Sequence, residues 1–178
     1  IFMLWRNSPA VIIGRNQNAF AEINFDFTKA HGIKVVRRLT GGGAVFHDLG
    51  NVNFTFISPA GGELSRGIRE GGLDFGYFTA PVVEALSGLG VSASLSGRND
   101  IVAVCGDEKR KISGNAQCVF TASDRRDRTM HHGTLLYSAD MTNMQGALNV
   151  DPEKLKSKGV RSVRSRVANI SDLIPAGR

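Results

Sequence analysis

The residue types best suited to chemistry gather in a few short stretches. The densest is Arg37-Arg38-Leu39-Thr40-Gly41-Gly42-Gly43-Ala44-Val45-Phe46-His47-Asp48. Three consecutive glycines leave the backbone without Cβ atoms, so a ligand can lie directly against it. Two arginines beside them offer fixed-charge forks suited to carboxylate or phosphate. This arrangement predicts an anion-bearing ligand along the backbone of Gly41 to Ala44. The competing reading is a tight hairpin with glycines in its turn. His47, just past the glycines, is either a pocket residue or a satisfied buried histidine.

Three further groups carry polar residues at short spacing. Gly97-Arg98-Asn99-Asp100 ends in a carboxylate at the start of a strand. Asp100 is either a turn residue or one of the few carboxylates that Mg²⁺ needs beside substrate phosphates. In Lys109-Arg110-Lys111-Ile112-Ser113-Gly114-Asn115-Ala116-Gln117, strand alternation with Ile112 inward puts Lys111 and Ser113 on the opposite face. There Lys111 is either a point charge for a phosphate or a solvated strand lysine. His131-His132-Gly133-Thr134 has two adjacent histidines, which on a strand point to opposite faces and cannot readily share an ion. No zinc site is expected. Cys105 and Cys118 are weak nucleophile candidates, since neither has a histidine nearby in sequence.

The elements that must position these groups alternate between short strands and helices. Strand patterns occur at Phe2–Trp5, Ala10–Gly14, Ile33–Arg38, Ala44–His47 and Asn51–Ile57, the last with Val52, Phe54 and Phe56 on one face. Residues 92–95, 101–104, 109–120 and 130–137 are spaced closely enough for an antiparallel meander. Helices are predicted over 21–31, with Gly32 as its cap, over 79–89 with Pro81 in its first turn, over 143–148 and over 151–156. Residues 60–76 read as a glycine-rich loop, and 169–173 as the start of a capped helix. The pattern is α+β, with a mostly antiparallel sheet flanked by helices and no internal boundary across residues 1–178.

Composition narrows the classes. The chain has 178 residues, 42% hydrophobic and 21% charged, ordinary for a globular domain with a real core. No apolar run is long enough to span a bilayer, and no export signal is visible, so a cytoplasmic location is expected. Two cysteines make no disulfide framework. A net charge of +6 favours an acidic partner. The basic groups at 125–128, 154–158 and 161–166 lack interleaved aromatics, which argues against nucleic acid.

In combination these blocks resemble the lipoate–protein ligase family. They occur in the family's order, together with Trp5-Arg6-Asn7, Ile13-Gly14-Arg15-Asn16-Gln17-Asn18 and Ser162-Val163-Arg164-Ser165-Arg166-Val167. The resemblance implies a catalytic domain like those of biotin ligases and class II tRNA synthetases. It implies two half-reactions: lipoate and ATP give lipoyl-adenylate, and the lipoyl group then passes to a lysine. The acceptors it implies are lipoyl domains of 2-oxoacid dehydrogenase E2 subunits or the glycine cleavage H protein. Carried onto this sequence, Arg38, Gly43, Ala44, Val45, Phe46, Asn99, Asp100 and Lys111 would contact ATP. Gly42, Gly43, His47 and Lys111 would contact lipoate, Lys111 would be catalytic, and Asp100 would hold Mg²⁺. It further implies that a family N-terminal segment and C-terminal accessory domain lie outside this chain, and a mitochondrial location if the source is eukaryotic. The alternatives are an octanoyltransferase with a cysteine nucleophile, a lipoyltransferase using preformed lipoyl-AMP, and a non-catalytic module binding a lipoyl group or nucleotide.

Overall fold

The computed structural model of the chain describes residues 1–60, 74–149 and 167–176. Most of the expected loop at 60–76, the helix expected at 151–156, the basic groups at 154–158 and 161–166, and all but Val167 of the 162–167 block lie outside the described residues.

Strands β1 (Phe2–Trp5), β2 (Ala10–Ile13), β3 (Lys34–Arg37), β4 (Val45–His47), β5 (Asn51–Pro59), β6 (Ala93–Ser96), β7 (Asp100–Cys105), β8 (Glu108–Thr121) and β9 (Asp127–Leu136) form two sheets. The larger has six strands in the order β1-β5-β9-β8-β7-β6, antiparallel throughout. Its β6-to-β9 run is the expected meander. The smaller has the order β3-β2-β4, with β2 parallel to β3 and antiparallel to β4. Helices α1 (Ala19–Glu22), α2 (Phe25–Ala30), α3 (Phe75–Gly88) and α4 (Met141–Ala147) flank them. No helix among the described residues is long and apolar enough to cross a membrane.

Alternation assigns each face of the large sheet a different task. Phe54, Phe56 and His131 point to the side covered by α3, where Phe78 stacks on His131 at 5.0 Å and lies 5.9 Å from Phe56. Ile101, Ala103 and Ile112 join Leu86, Val91 and Ile170 in one apolar core. Val11, Ile13, Ile23, Ile33 and Phe46 join Met144 and Ala147 in a second, between the small sheet and α4. The other face of β5 is also closed: Asn51, Asn53 and Thr55 are at most 3% exposed. There the small sheet faces the large one, which is why β5 reads as alternating yet buries polar residues.

Four expectations change. The strands on either side of the glycine run do not pair with each other, because β2 lies between them. The run is therefore a crossing between strands and not the turn of a hairpin. The single helix expected at 21–31 is two, because Asn18 and Asn24 each cap a helix: Asn24 Oδ1 accepts from the Phe27 N–H at 3.1 Å. Helix α3 begins before residue 79, since Asp74 caps it through the Tyr77 N–H. Pro81 is therefore interior to the helix, where it has no N–H to offer the preceding turn. Residues 170–172 form a single 3-10 turn, and Asn169, instead of capping it, bonds both backbone groups of Ala139.

Candidate active site

A cavity of about 390 Å³ opens between the two sheets, within the range of small-molecule sites. Its floor comes from rows of the large sheet: Trp5, Thr134 and Gly114; Met3, Thr55, His132 and Ala116; Ile57 and Met130. Its other wall is Ile12, Arg38, Leu39, Gly42, Gly43, Ala44, Val45 and His47. Alternation along β4 turns Val45 and His47 toward the cavity and sends Phe46, 2% exposed, into the core. Phe46 can thus offer a ligand only its backbone.

The glycine wall is held from behind. Arg38 sends Nη1 to the Ile12 carbonyl at 2.9 Å and Nη2 to the Gly41 and Gly43 carbonyls at 2.7 and 2.8 Å. Its Nε donates to Thr40 Oγ1 at 3.1 Å. Most of its donors are therefore spent on the loop, although the side chain borders the cavity. Arg37 does the same for the neighbouring turn, donating to the Gly14, Arg15 and Gln17 carbonyls. Gly14 must be glycine: a Cβ there would lie 2.1 Å from the Gly42 oxygen. A Cβ on Gly43, by contrast, would meet nothing within 4 Å, which leaves its backbone accessible from the cavity side.

Lys111 stands across from that wall. Between β7 and β8, Ile101 pairs with Ser113 and Val102 with Lys111, so Ile112 is an extra residue. This bulge resets the alternation. Ile112 and Ser113 are both fully buried, while Lys111 and Gly114 line the cavity. The expectation that Lys111 and Ser113 share a face therefore fails. The lysine stem runs over Gly114, where a Cβ would sit 3.1 Å from Nζ, and ends on Asp100 Oδ1 at 2.8 Å. Both side chains are a little over one-third exposed. Asn99 lines the cavity and is clamped to Asn115 by reciprocal bonds of 2.8 and 3.0 Å from each side-chain amide to the other's carbonyl. Asp100 itself does not border the cavity and touches it only through Lys111. Val167 runs beside Lys111, and the Ala168 N–H donates to the Lys111 carbonyl at 3.0 Å.

His47, His131 and His132 are held neutral and directed. Asn7 Nδ2 donates to His47 Nδ1 at 2.9 Å, leaving Nε2–H to donate to Thr134 Oγ1 at 2.8 Å, which in turn donates to Asn53 Oδ1 at 2.9 Å. Thr40, accepting from Arg38, gives its own proton to His132 Nε2 at 2.7 Å. Burial first, then the charges of neighbouring groups, pushes His47 and His132 down to about 4. His131 lies on the opposite face among Phe54, Phe75 and Phe78, and burial pushes it to about 3. The two adjacent histidines therefore do diverge. Among the described residues no three His, Cys, Asp or Glu side chains are grouped to hold a metal. Burial raises the Cys118 thiol, which disfavours it as a nucleophile, and the Cys105 thiol donates weakly to the Ala103 carbonyl at 3.6 Å.

Of the residues singled out in the sequence, Arg38, Gly42, Gly43, Ala44, Val45, His47, Asn99 and Lys111 meet around one cavity. Met3, Ile12, Thr55, Ile57 and Met130 also line it, and only strand alternation could have flagged them. Thr40, 1% exposed, was inside a recognised block without a role of its own.

A mostly antiparallel sheet with this walled cleft defines an α+β fold with a cavity of small-molecule size. The chain belongs to the lipoyl protein ligase A/B catalytic domain family, whose model matches residues 1–177. It is 46% identical over 172 residues to lipoate-protein ligase LplJ of Bacillus subtilis strain 168, covering 97% of this chain and 47% of that protein. The chain thus spans about half the length of that relative. Among solved structures it is similar to a bi-partite lipoate protein ligase of Thermoplasma acidophilum, described with its E2 lipoyl domain, with a TM-score of 0.78 and 32% identity over 98% of this chain and 64% of that one. It is also similar to a lipoate-protein ligase A bound with ATP, with a TM-score of 0.74 and 29% identity over 98% of this chain and 65% of that one.

Proposed function

We propose that this chain forms one catalytic domain that activates lipoate with ATP to lipoyl-adenylate and transfers the lipoyl group to a lysine of an acceptor domain. The observation that carries this reading is a cavity with bare glycine backbone on one wall and Lys111 on the other. A carboxylate approaching an α-phosphate brings two anions together, and negative charge then grows on the phosphoryl oxygens. Lys111, with three donors on a flexible stem, can bridge the two anions and hold them in line. The Gly43-to-Phe46 backbone would offer N–H donors to the adenylate, and Asn99 lines the same cavity. The apolar floor of Met3, Ile57 and Met130 suits an acyl chain, with His47 and Gly42 bordering it. Neutral His47 suits that place, because a charged imidazole beside a hydrocarbon would be poorly solvated.

Mg²⁺ would be held by Asp100, whose carboxylate lies at the cavity edge on Lys111, and would supply positive charge for the nucleotide phosphates. One carboxylate fits that use, because Mg²⁺ commonly takes only one or two from protein. The raised Cys118 thiol disfavours the cysteine-dependent transferase. Lipoyl domains of E2 subunits are the proposed acceptors, as the Thermoplasma acidophilum ligase was described with its E2 lipoyl domain. The glycine cleavage H protein is a second acceptor of the same chemistry, and the cytoplasm is the proposed location.

The test is to incubate the full-length gene product with lipoate and a purified lipoyl domain, with and without ATP. The expected result is a lipoyl mass increment on the acceptor only when ATP is present. ATP-independent acylation, or none at all, sinks the reading.

A further inference from the structure

Lys111, which lines the cavity, ends on a carboxylate of the same chain. Its ammonium lies 2.8 Å from Asp100 Oδ1. The bulge at Ile112 brings Lys111 and Gly114 onto one face, and Gly114 lies opposite Asp100 in the β7–β8 register. The stem is laid across Gly114, the one residue type with no Cβ to lift it away. Asn99 is locked to Asn115 by three hydrogen bonds, two to the Asn99 carbonyl and one to the Asn115 carbonyl, which fixes the backbone immediately before Asp100. Asp100 therefore presents its carboxylate from an immobilised strand end to a lysine with four rotatable bonds.

We propose that Asp100 is a positioning residue that stands in for the substrate carboxylate: it holds Lys111 at the cavity edge until an incoming acid takes its place. The inference rests on the proposed function, since it assumes a carboxylic acid substrate. Both carboxylates are acceptors of the same kind, so one lysine exchanges between them with little change in its own hydrogen bonding. A cation on the nucleotide phosphates that took Asp100 would release Lys111 toward the acid.

The experiment measures octanoate binding to the full-length protein without nucleotide or metal. Chemical-shift titration to millimolar concentration reads even weak binding. Asp100→Asn removes the competitor, and octanoate is expected to bind about two- to five-fold tighter, the range for freeing a partly exposed ion pair. Octanamide, which has no charge, is expected to bind the wild type and the variant alike. Asp100→Asn made in a Lys111→Met background is expected to change octanoate affinity by less than about 1.5-fold, a residue of distant charge effects. An unchanged or weaker octanoate affinity in Asp100→Asn, with native circular dichroism, overturns the inference. So does a gain that persists in the Lys111→Met background, because that gain would come from lost repulsion between two carboxylates and not from a freed lysine. A wild-type protein that binds neither octanoate nor lipoate overturns the proposed function as well, and is told apart by that result.

Discussion

Lys111 and the histidines face different consequences of their surroundings. Lys111 is partly exposed and its ion pair with Asp100 is screened by water, so removing it is expected to cost little stability. Lys111→Ala should melt within a few degrees of the wild type and yet support no lipoate-dependent ATP–pyrophosphate exchange. Wild-type exchange in that variant would exclude Lys111 from adenylation. His47, His131 and His132 behave in the opposite way: they contribute to the fold as neutral groups. Their folded values of about 4, 3 and 4 lie below the ordinary 6.5. The unfolded chain therefore binds more protons between pH 6.5 and 4, and stability falls as pH drops through that window. By pH 4.5 the loss should be on the order of 2 kcal/mol for each histidine. Urea unfolding midpoints should be level from pH 8 to 7 and decline below 6.5. A midpoint unchanged down to pH 4.5 would mean these rings are not held neutral.

At the scale of elements, the glycine-rich crossing and its neighbours set the site. Two glycines near it make opposite demands. A methyl on Gly14 would meet the Gly42 carbonyl at 2.1 Å, and backbone cannot swing aside as a side chain can. Gly14→Ala is expected to lose about 1–3 kcal/mol in denaturant unfolding and to weaken nucleotide binding, because the wall itself must move. A methyl on Gly41 would meet nothing within 4 Å, and Gly41→Ala should unfold within about 0.5 kcal/mol of the wild type. Equal losses in both would refute the close approach of Gly14 to the loop. The Ile112 bulge belongs to this scale too. Residues 109–120 are legible as a strand within the observed Glu108–Thr121, but where an extra residue enters the ladder depends on the partner strand.

Among the described residues, two apolar cores lie on either side of a junction between the sheets, one tied to the small sheet and one to the large. The cavity is that junction, bridged by the side-chain bonds Thr40–His132 and His47–Thr134. A ligand touching both walls should therefore stabilise the pair together. Lipoate at about 100 times its dissociation constant is expected to add about 2.7 kcal/mol to unfolding, with slower amide exchange in both 38–47 and 111–116. Protection confined to one wall would place the ligand elsewhere.

Chemistry carried by local spacing was readable before any coordinates. The glycine run and His47 are flagged by residue type, Lys111 and Asn99 by the family resemblance, and the meander follows from closely spaced strand patterns. These rest on neighbours in the chain: bare backbone, alternation, turn residues and caps. Capping was legible in principle, yet Asn24 splits the helix expected over 21–31 with Gly32 as its cap. What the tertiary structure decided depends on partners far apart in sequence. The insertion of β2 between β3 and β4 turned an apparent hairpin into a crossing. The donors of Arg38, which residue type directs to an anion, were drawn instead to carbonyls of Ile12, Gly41 and Gly43. The bulge put Ser113 in the core and left Lys111 facing the glycine wall. Residue types specify which groups can do chemistry, whereas sheet order and register specify which of those groups meet.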